Sequence, residues 1–363
     1  MDFRDPAPIP FRVPPDAPPD PLVRIGDPGD LAAGLPQLLG YRPDESVVLV
    51  GLGGETGRRV GLTVRADLPP AGQARELAAV LARSLATDEP RAALAVLVSE
   101  APDEPLVPGG GRGTDLPHRL LLHELVLALD AVGLPLEQAL LVRGDRWWDY
   151  DCPAACCAPD GGTPLPTAVG ELEVAAVASG TVVAAHRGAL ADRLAPPGES
   201  ACAAMEAVVL RVGLEGPVAR SAGRRRIRSA VARSRPGSDR TRLGDEEIAR
   251  IVWSLRQPEV RDGALLLSLD DAAAAEALWT ECTRRAPSPL DAFPAALVAL
   301  CSWLRGDGAM ANTALDRALD SEPGNPLAGL LRDALDAWVA PRQLRALLVE
   351  AGRCAGVPGA SAR

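Results

Sequence analysis

Between positions 46 and 142 the apolar residues recur with two periods in turn, and this alternation limits the fold more than any other feature. The run SVVLVGL at 46–52 is short, continuous and β-branched, as expected of a strand buried on both faces. In RRVGLTVRADL, Val60, Leu62, Val64, Ala66 and Leu68 alternate with Arg59, Gly61, Thr63, Arg65 and Asp67. That period of two marks a strand with one wet face, and two strands this close in the chain predict a hairpin. Ala74, Leu77, Ala78, Leu81, Ala82 and Leu85 then take the i, i+3, i+4, i+7 spacing of an amphipathic helix. Residues 92–98 read as another buried strand. A second helix places Leu121, Leu125, Ala128, Leu129 and Val132 on one face, and 139–142 is a further strand running into the segment RWWDYDCPAACCAPDGG. The order strand, strand, helix, strand, helix, strand predicts a mixed α/β sheet with flanking helices.

From about residue 168 the strand signal stops and Ala/Leu-rich helical patterns take over. Two segments are related: Ala275-x3-Trp279-x2-Cys282-x4-Pro287 is echoed by Ala311-x3-Leu315-x2-Ala318-x4-Pro323. Small residues for close approach, a large one for the core and a terminating proline form the second-helix half of a tetratricopeptide-like unit. The first-helix half is poorly matched, and an ordinary helical bundle accounts for the pattern nearly as well. The predicted organisation is a proline-rich disordered arm at 1–21, a mixed α/β domain at 22–167 ending in the Trp/Cys-rich loop, an all-α domain at 168–352 and a disordered tail at 353–363. Trp253, Trp279, Trp303 and Trp338 supply one large residue to each successive helix, so a fragment from Gly244 onward is expected to be helical alone.

Composition excludes several classes of function. The basic residues are all arginine, with no lysine in the chain, which speaks against a Walker-type nucleotide site. A net charge of −10 argues against non-specific nucleic-acid binding. The first 21 residues carry eight prolines and no apolar stretch resembling a signal peptide. Seven scattered cysteines, an odd number, are not a disulfide framework and point to a reducing cytoplasm.

Three stretches are candidate sites. The Gly-rich turn G51-L-G-G-E-T-G57 resembles a dinucleotide fingerprint, but that motif requires a helix to follow, and a strand pattern follows instead; a hairpin turn is expected. His118 and His123 lie five residues apart on one helix, roughly 140° around its axis, so they do not converge on one ion. Cys152, Cys156 and Cys157 are the strongest candidate ligands. With Pro153 at the first helical position, Cys152 to Cys156 reads as one helical turn, Cys152 at its cap. Three thiols fall one short of the four protein ligands of a structural zinc, the fourth having to come from His118, His123 or His186. Zinc below one equivalent, folding without metal, and thiols buried beside Trp147 and Trp148 are the expectation, with a metal site or a redox thiol as the alternatives. At 220–242, nine arginines stand against one acid. This stretch reads as a solvated basic segment partly paired with residues 245–247, its exposed Arg224, Arg225, Arg226 and Arg228 being candidates for contacting a protein partner.

The stretches DLAAGLPQLLGYRPDESVVLVGL, RRVGLTVRADLP, RWWDYDCPAACCAPDGGTPLP and GDGAMANTALDRALDSEP together resemble the actinobacterial family called domain of unknown function 4192. The resemblance spans about 26–338, and the Trp-Trp pair followed by a cysteine and a Cys-Cys pair is its most specific part. It implies a bacterial cytoplasmic protein with an α/β part and a helical part, and it carries over no activity and no catalytic residue. The residues themselves predict a binding or scaffolding protein acting on another protein through its helical domain. The alternative is an enzyme or a small-ligand or metal sensor sited near the cysteine-rich loop.

Overall fold

The computed structural model describes residues 27–54, 59–105, 114–167, 174, 183–216, 218–235, 243–337 and 339–354. The proline-rich arm, part of the Gly-rich turn, Trp338 and the end of the tail lie outside these residues.

The strands are β1 (Ser46–Gly53), β2 (Arg59–Asp67), β3 (Ala92–Val98), β4 (Glu104–Pro105), β5 (Thr114–Asp115), β6 (Leu136–Arg143), β7 (Arg146–Asp149) and β8 (Thr163–Pro164). Six of them form one sheet in the order β2-β1-β3-β6-β7-β8, while β4 and β5 pair as a separate ribbon. The β1–β2 hairpin forms as its alternation predicts, and β1 is antiparallel to β3. Among the strands of the described residues, only β3 and β6 pair in parallel. The crossover between them carries helix α3 (Arg119–Ala131), and α2 (Ala74–Ala86) fills the connection from β2 to β3.

Because side chains alternate across a strand, the sheet serves two cores. Val47, Leu49, Ala95, Leu97, Leu141 and Trp148 face α2 and α3. On α3 that face is Leu121, Leu122, Leu125 and Leu129; Val132, expected among them, is the C-cap and stands partly exposed. Val48, Val50, Leu94, Val96, Leu140 and Val142 face the other way, into a cluster that continues without a break through the helical half. Helix α1 (Pro28–Leu39) lies on this second face, capped by Asp27, whose side chain accepts from the Gly29 amide, and ended by Gly40 in the left-handed conformation.

The helical half comprises α4 (Ala189–Asp192), α5 (Glu199–Leu214), α6 (Arg220–Arg233), α7 (Asp245–Ser254), α8 (Pro258–Asp270), α9 (Ala272–Arg285), α10 (Ala292–Leu304), α11 (Gly308–Ser321), α12 (Pro326–Asp336) and α13 (Pro341–Cys354). The sequence of α10, AFPAALVALCSWL, is apolar on every side, which is the mark of an enclosed helix. It packs against α9, α11, α12, α13 and α8. Ala275, Trp279 and Cys282 of α9 and Ala311, Leu315 and Ala318 of α11 are all fully buried, so the echoed positions are the core-facing ones. Arg342 of α13 ties the end of this array to Asp88 beyond α2, at 2.5 Å. Among the described residues no helix is long and apolar enough to cross a membrane.

Candidate functional site

The Trp/Cys segment is a strand and a pinned loop. After β6 the chain turns at Gly144 and Asp145, and β7 pairs back along it, Trp148 opposite Leu141 and Trp147 opposite Val142. The two tryptophans therefore lie on a strand rather than in the loop. Adjacent in sequence, they point to opposite faces: Trp148 into the core beneath α3, Trp147 against the Gly29 backbone of α1. β8 then pairs with β7, Thr163 opposite Trp147, so the cysteine loop has both ends fastened to the sheet.

Within the loop the expected helical turn is absent. Cys152 caps nothing: its amide bonds back to the Asp149 carbonyl, and a single 3-10 turn forms later, at Ala155–Cys157, with extended Ala154 before it. The reason is closure. A chain tied at Asp149 and again at Thr163 must reverse, and the residue before a proline is in any case driven out of helical conformation. The reversal is completed by Gly162, at φ +91°, where an added Cβ would lie 2.4 Å from Trp148. The Trp148 indole N–H donates to the Ala158 carbonyl at 3.0 Å, and Arg146 donates to the Gly162 carbonyl. Tyr150, buried at the loop entrance, donates its hydroxyl to the Pro117 carbonyl at 2.7 Å, with the Arg119 guanidinium over its ring.

This frame gathers the three thiols: the Sγ atoms of Cys152, Cys156 and Cys157 all lie within 4.8 Å of one another. They do not fill space in the core, as expected beside the tryptophans, for only Cys157 is buried while Cys152 is half-buried and Cys156 exposed. The thiols also differ chemically. The Ala154 amide, and then the Cys157 thiol, hold the Cys152 thiol below its ordinary range. Burial pushes Cys157 up to about 11, against the Asp149 amide that donates to its sulfur. The lowering at Cys152 is thus the work of a loop amide, not of a helix terminus. His118, His123 and His186 do not join the cluster, and among the described residues it has no fourth side-chain ligand.

A second constellation sits at the carboxyl edge of the parallel pair β3/β6, where open α/β sheets place ligands. Buried Ser99 donates to Glu45 at 2.8 Å and accepts from the Ala101 amide, which leaves its oxygen to accept from His118 Nε2 at 2.9 Å. Glu45 and His118 both hold positive φ, 32° and 65°. Burial lowers the pKa of His118. The carboxylates, however, are spent on loop amides: Glu45 on Glu100, Glu104 on His118 and Glu100 on Gly144. With its proton directed to Glu45 and its surface covered, Ser99 is a brace for loop ends and not a nucleophile. No motif joins residues 45, 99 and 118; only the strand order does.

The basic stretch forms helix α6 over Arg220–Arg233, and its residues 236–242 lie outside the described residues. Arg224 lies along α8, donating twice to the Glu259 carbonyl, and Arg226 is half-buried. Arg225 and Arg228 are exposed. Of the acids at 245–247, only Glu247 pairs with this helix, through Arg233. Asp245 and Glu246 bind Arg285, Arg211 and Arg250 instead. The four arginines therefore do not form one free surface.

Residues 28–342 match the family described as Domain of unknown function (DUF4192). The chain belongs to this family. No curated protein and no solved structure matches it. Membership of the DUF4192 family brings no reaction with it.

Proposed function

We propose that this DUF4192 protein is a binding protein whose centre is the thiol loop, taking up a thiophilic metal ion through Cys152, Cys156 and Cys157. The observation that carries this is the approach of three sulfurs to within 4.8 Å of one another on a loop with its own scaffold. Thiolate sulfur selects zinc, monovalent copper and other soft ions. Three protein ligands leave one coordination position open, the pattern of exchangeable rather than structural sites. With β7, β8 and Trp148 fastening the loop, the ion acts in this reading as an exchangeable ligand, and the protein as a sensor in a reducing cytoplasm.

Titrating reduced protein with cobalt(II), a spectroscopic substitute for zinc, tests this. One equivalent should produce thiolate-to-cobalt charge-transfer absorption, zinc should abolish it, and Cys152→Ser or Cys156→Ser should prevent it. Absence of that absorption in folded protein, or its persistence in both variants, overturns the reading.

A second reading, protein binding through tetratricopeptide-like helix pairs, draws support from Leu210 and Leu214, one turn apart on α5 and 67% and 89% exposed, and from exposed Arg225 and Arg228. Partner capture weakened by salt and by Arg225→Ser with Arg228→Ser, but untouched by Cys152→Ala, favours it.

A further inference from the structure

We propose that the ligand completing this site is trivalent arsenic, taken up as arsenite by all three thiols. The inference rests on the thiol-site reading above and specifies its ligand. Three features of the loop separate arsenic from zinc and copper.

Coordination number comes first. Zinc asks for four ligands and fills the fourth position with water when the protein supplies three. Trivalent arsenic is complete with three sulfurs in a trigonal pyramid. Cys152, Cys156 and Cys157 form a set of three, and His118, His123, His186 and the neighbouring carboxylates stand outside it.

Charge comes second. Asp149 lies near enough to Cys152 to act on it electrostatically, and Asp151 and Asp160 flank the loop in sequence, both exposed. Like charges close together oppose one another. Three thiolates around a divalent zinc leave a net charge of −1, and around monovalent copper −2, whereas the tris-thiolate of arsenic is neutral. The Asp149 charge penalises the first two and leaves the third alone.

Access comes third. Pyramidal arsenic carries a lone pair on the side away from the sulfurs, and that side must be open. The exposed Cys156 and half-buried Cys152 leave the cluster reachable from solvent, with Cys157 buried beneath them.

The exchange is balanced without an oxidant. As(OH)3 and three thiols give As(SR)3 and three waters: three As–O bonds and three S–H bonds break, three As–S bonds form, and each thiol proton leaves on a departing hydroxide. Arsenic stays trivalent and sulfur stays at the thiol level.

The test uses the full chain, reduced, with sodium arsenite or cobalt(II) as probe. Native mass spectrometry should show one arsenic gained with three hydrogens lost. Arsenite should protect Cys152, Cys156 and Cys157 together from alkylation, and should extinguish the cobalt absorption. In Cys152→Ser, Cys156→Ser and Cys157→Ser, each checked for native circular dichroism, the three-hydrogen adduct should be lost. Cobalt binding with no arsenic adduct overturns the arsenite inference and leaves the metal-site reading standing. An adduct that gains As–OH with two hydrogens lost, unaffected by Cys152→Ser, overturns the three-thiol assignment. Binding of neither probe removes both.

Discussion

Gly162→Ala is the sharpest probe of how the cysteine loop is held. Two costs add. At φ +91° a Cβ meets the backbone, and a left-handed residue other than glycine costs roughly 1–2 kcal/mol. The same Cβ would stand 2.4, 2.6 and 2.9 Å from three atoms of the Trp148 ring, where carbon atoms settle at about 3.5–4.0 Å. The ring must therefore move by about 1 Å, and it has little room. It is 4% exposed, bonded to Ala158 and overlaid by Arg143 at 5.5 Å. Overpacking of this kind costs ~1–3 kcal/mol, giving a total of about 2–5 kcal/mol. Gly133 supplies the control: its φ is +75° but no atom lies within 4 Å of an added Cβ, so Gly133→Ala carries the backbone cost alone. In urea denaturation both variants should lower the midpoint with an unchanged slope. Gly162→Ala should exceed Gly133→Ala by about 1–3 kcal/mol and should also weaken cobalt binding, because Ala158 adjoins Cys157. Equal losses in the two variants, with cobalt binding intact, would refute the wedge between Trp148 and Gly162.

His118 should make stability depend on pH. Its depressed pKa means that, as pH falls below 6.5, the unfolded chain takes up the proton before the folded one. Stability then declines through the window between 6.5 and the lower folded value, and urea midpoints against pH should lose this component in His118→Asn. On α6, Arg224→Ser, which removes two hydrogen bonds to Glu259, should cost about 1–3 kcal/mol. Arg225→Ser with Arg228→Ser should stay within about 0.5 kcal/mol; thermal melts giving the reverse order would contradict this placement of the helix. A fragment from Gly244 onward should be less stable than the sequence pattern suggests, because it loses the helices that cover α7 and α8, among them the Val209 carbonyl that accepts from Trp253. A fragment melting at the temperature of the whole chain would show that this cover contributes nothing.

Periodicity along the chain determined the larger elements. The continuous apolar runs became β1 and β3, the period-two run became β2, the 3.6-residue patterns became α2 and α3, and the echo between 275 and 311 marked buried faces of α9 and α11. Such patterns are legible because burial of one face is written in every turn or pleat of the element that bears it. Helix α1 was missed, although its caps carry the signal: Asp27, then Pro28 at the first position, then Gly40 at the end. Strand β7 was not legible, since four residues containing two adjacent tryptophans show no alternation until the sheet assigns each a side. Tertiary structure alone decided the candidate site. Sequence spacing placed Cys152 and Cys156 on a helical turn, but pairing at Trp148 and Thr163 fixed both ends of the loop and forced a reversal there, bringing three thiols together. The same holds for Glu45, Ser99 and His118, which lie on three separate connections and meet only because β1 is antiparallel to β3, so that one sheet edge collects the start of one strand and the end of the other. Local interactions act between neighbours in sequence, whereas sheet order is set by long-range pairing, and it is sheet order that chose which polar groups face one another.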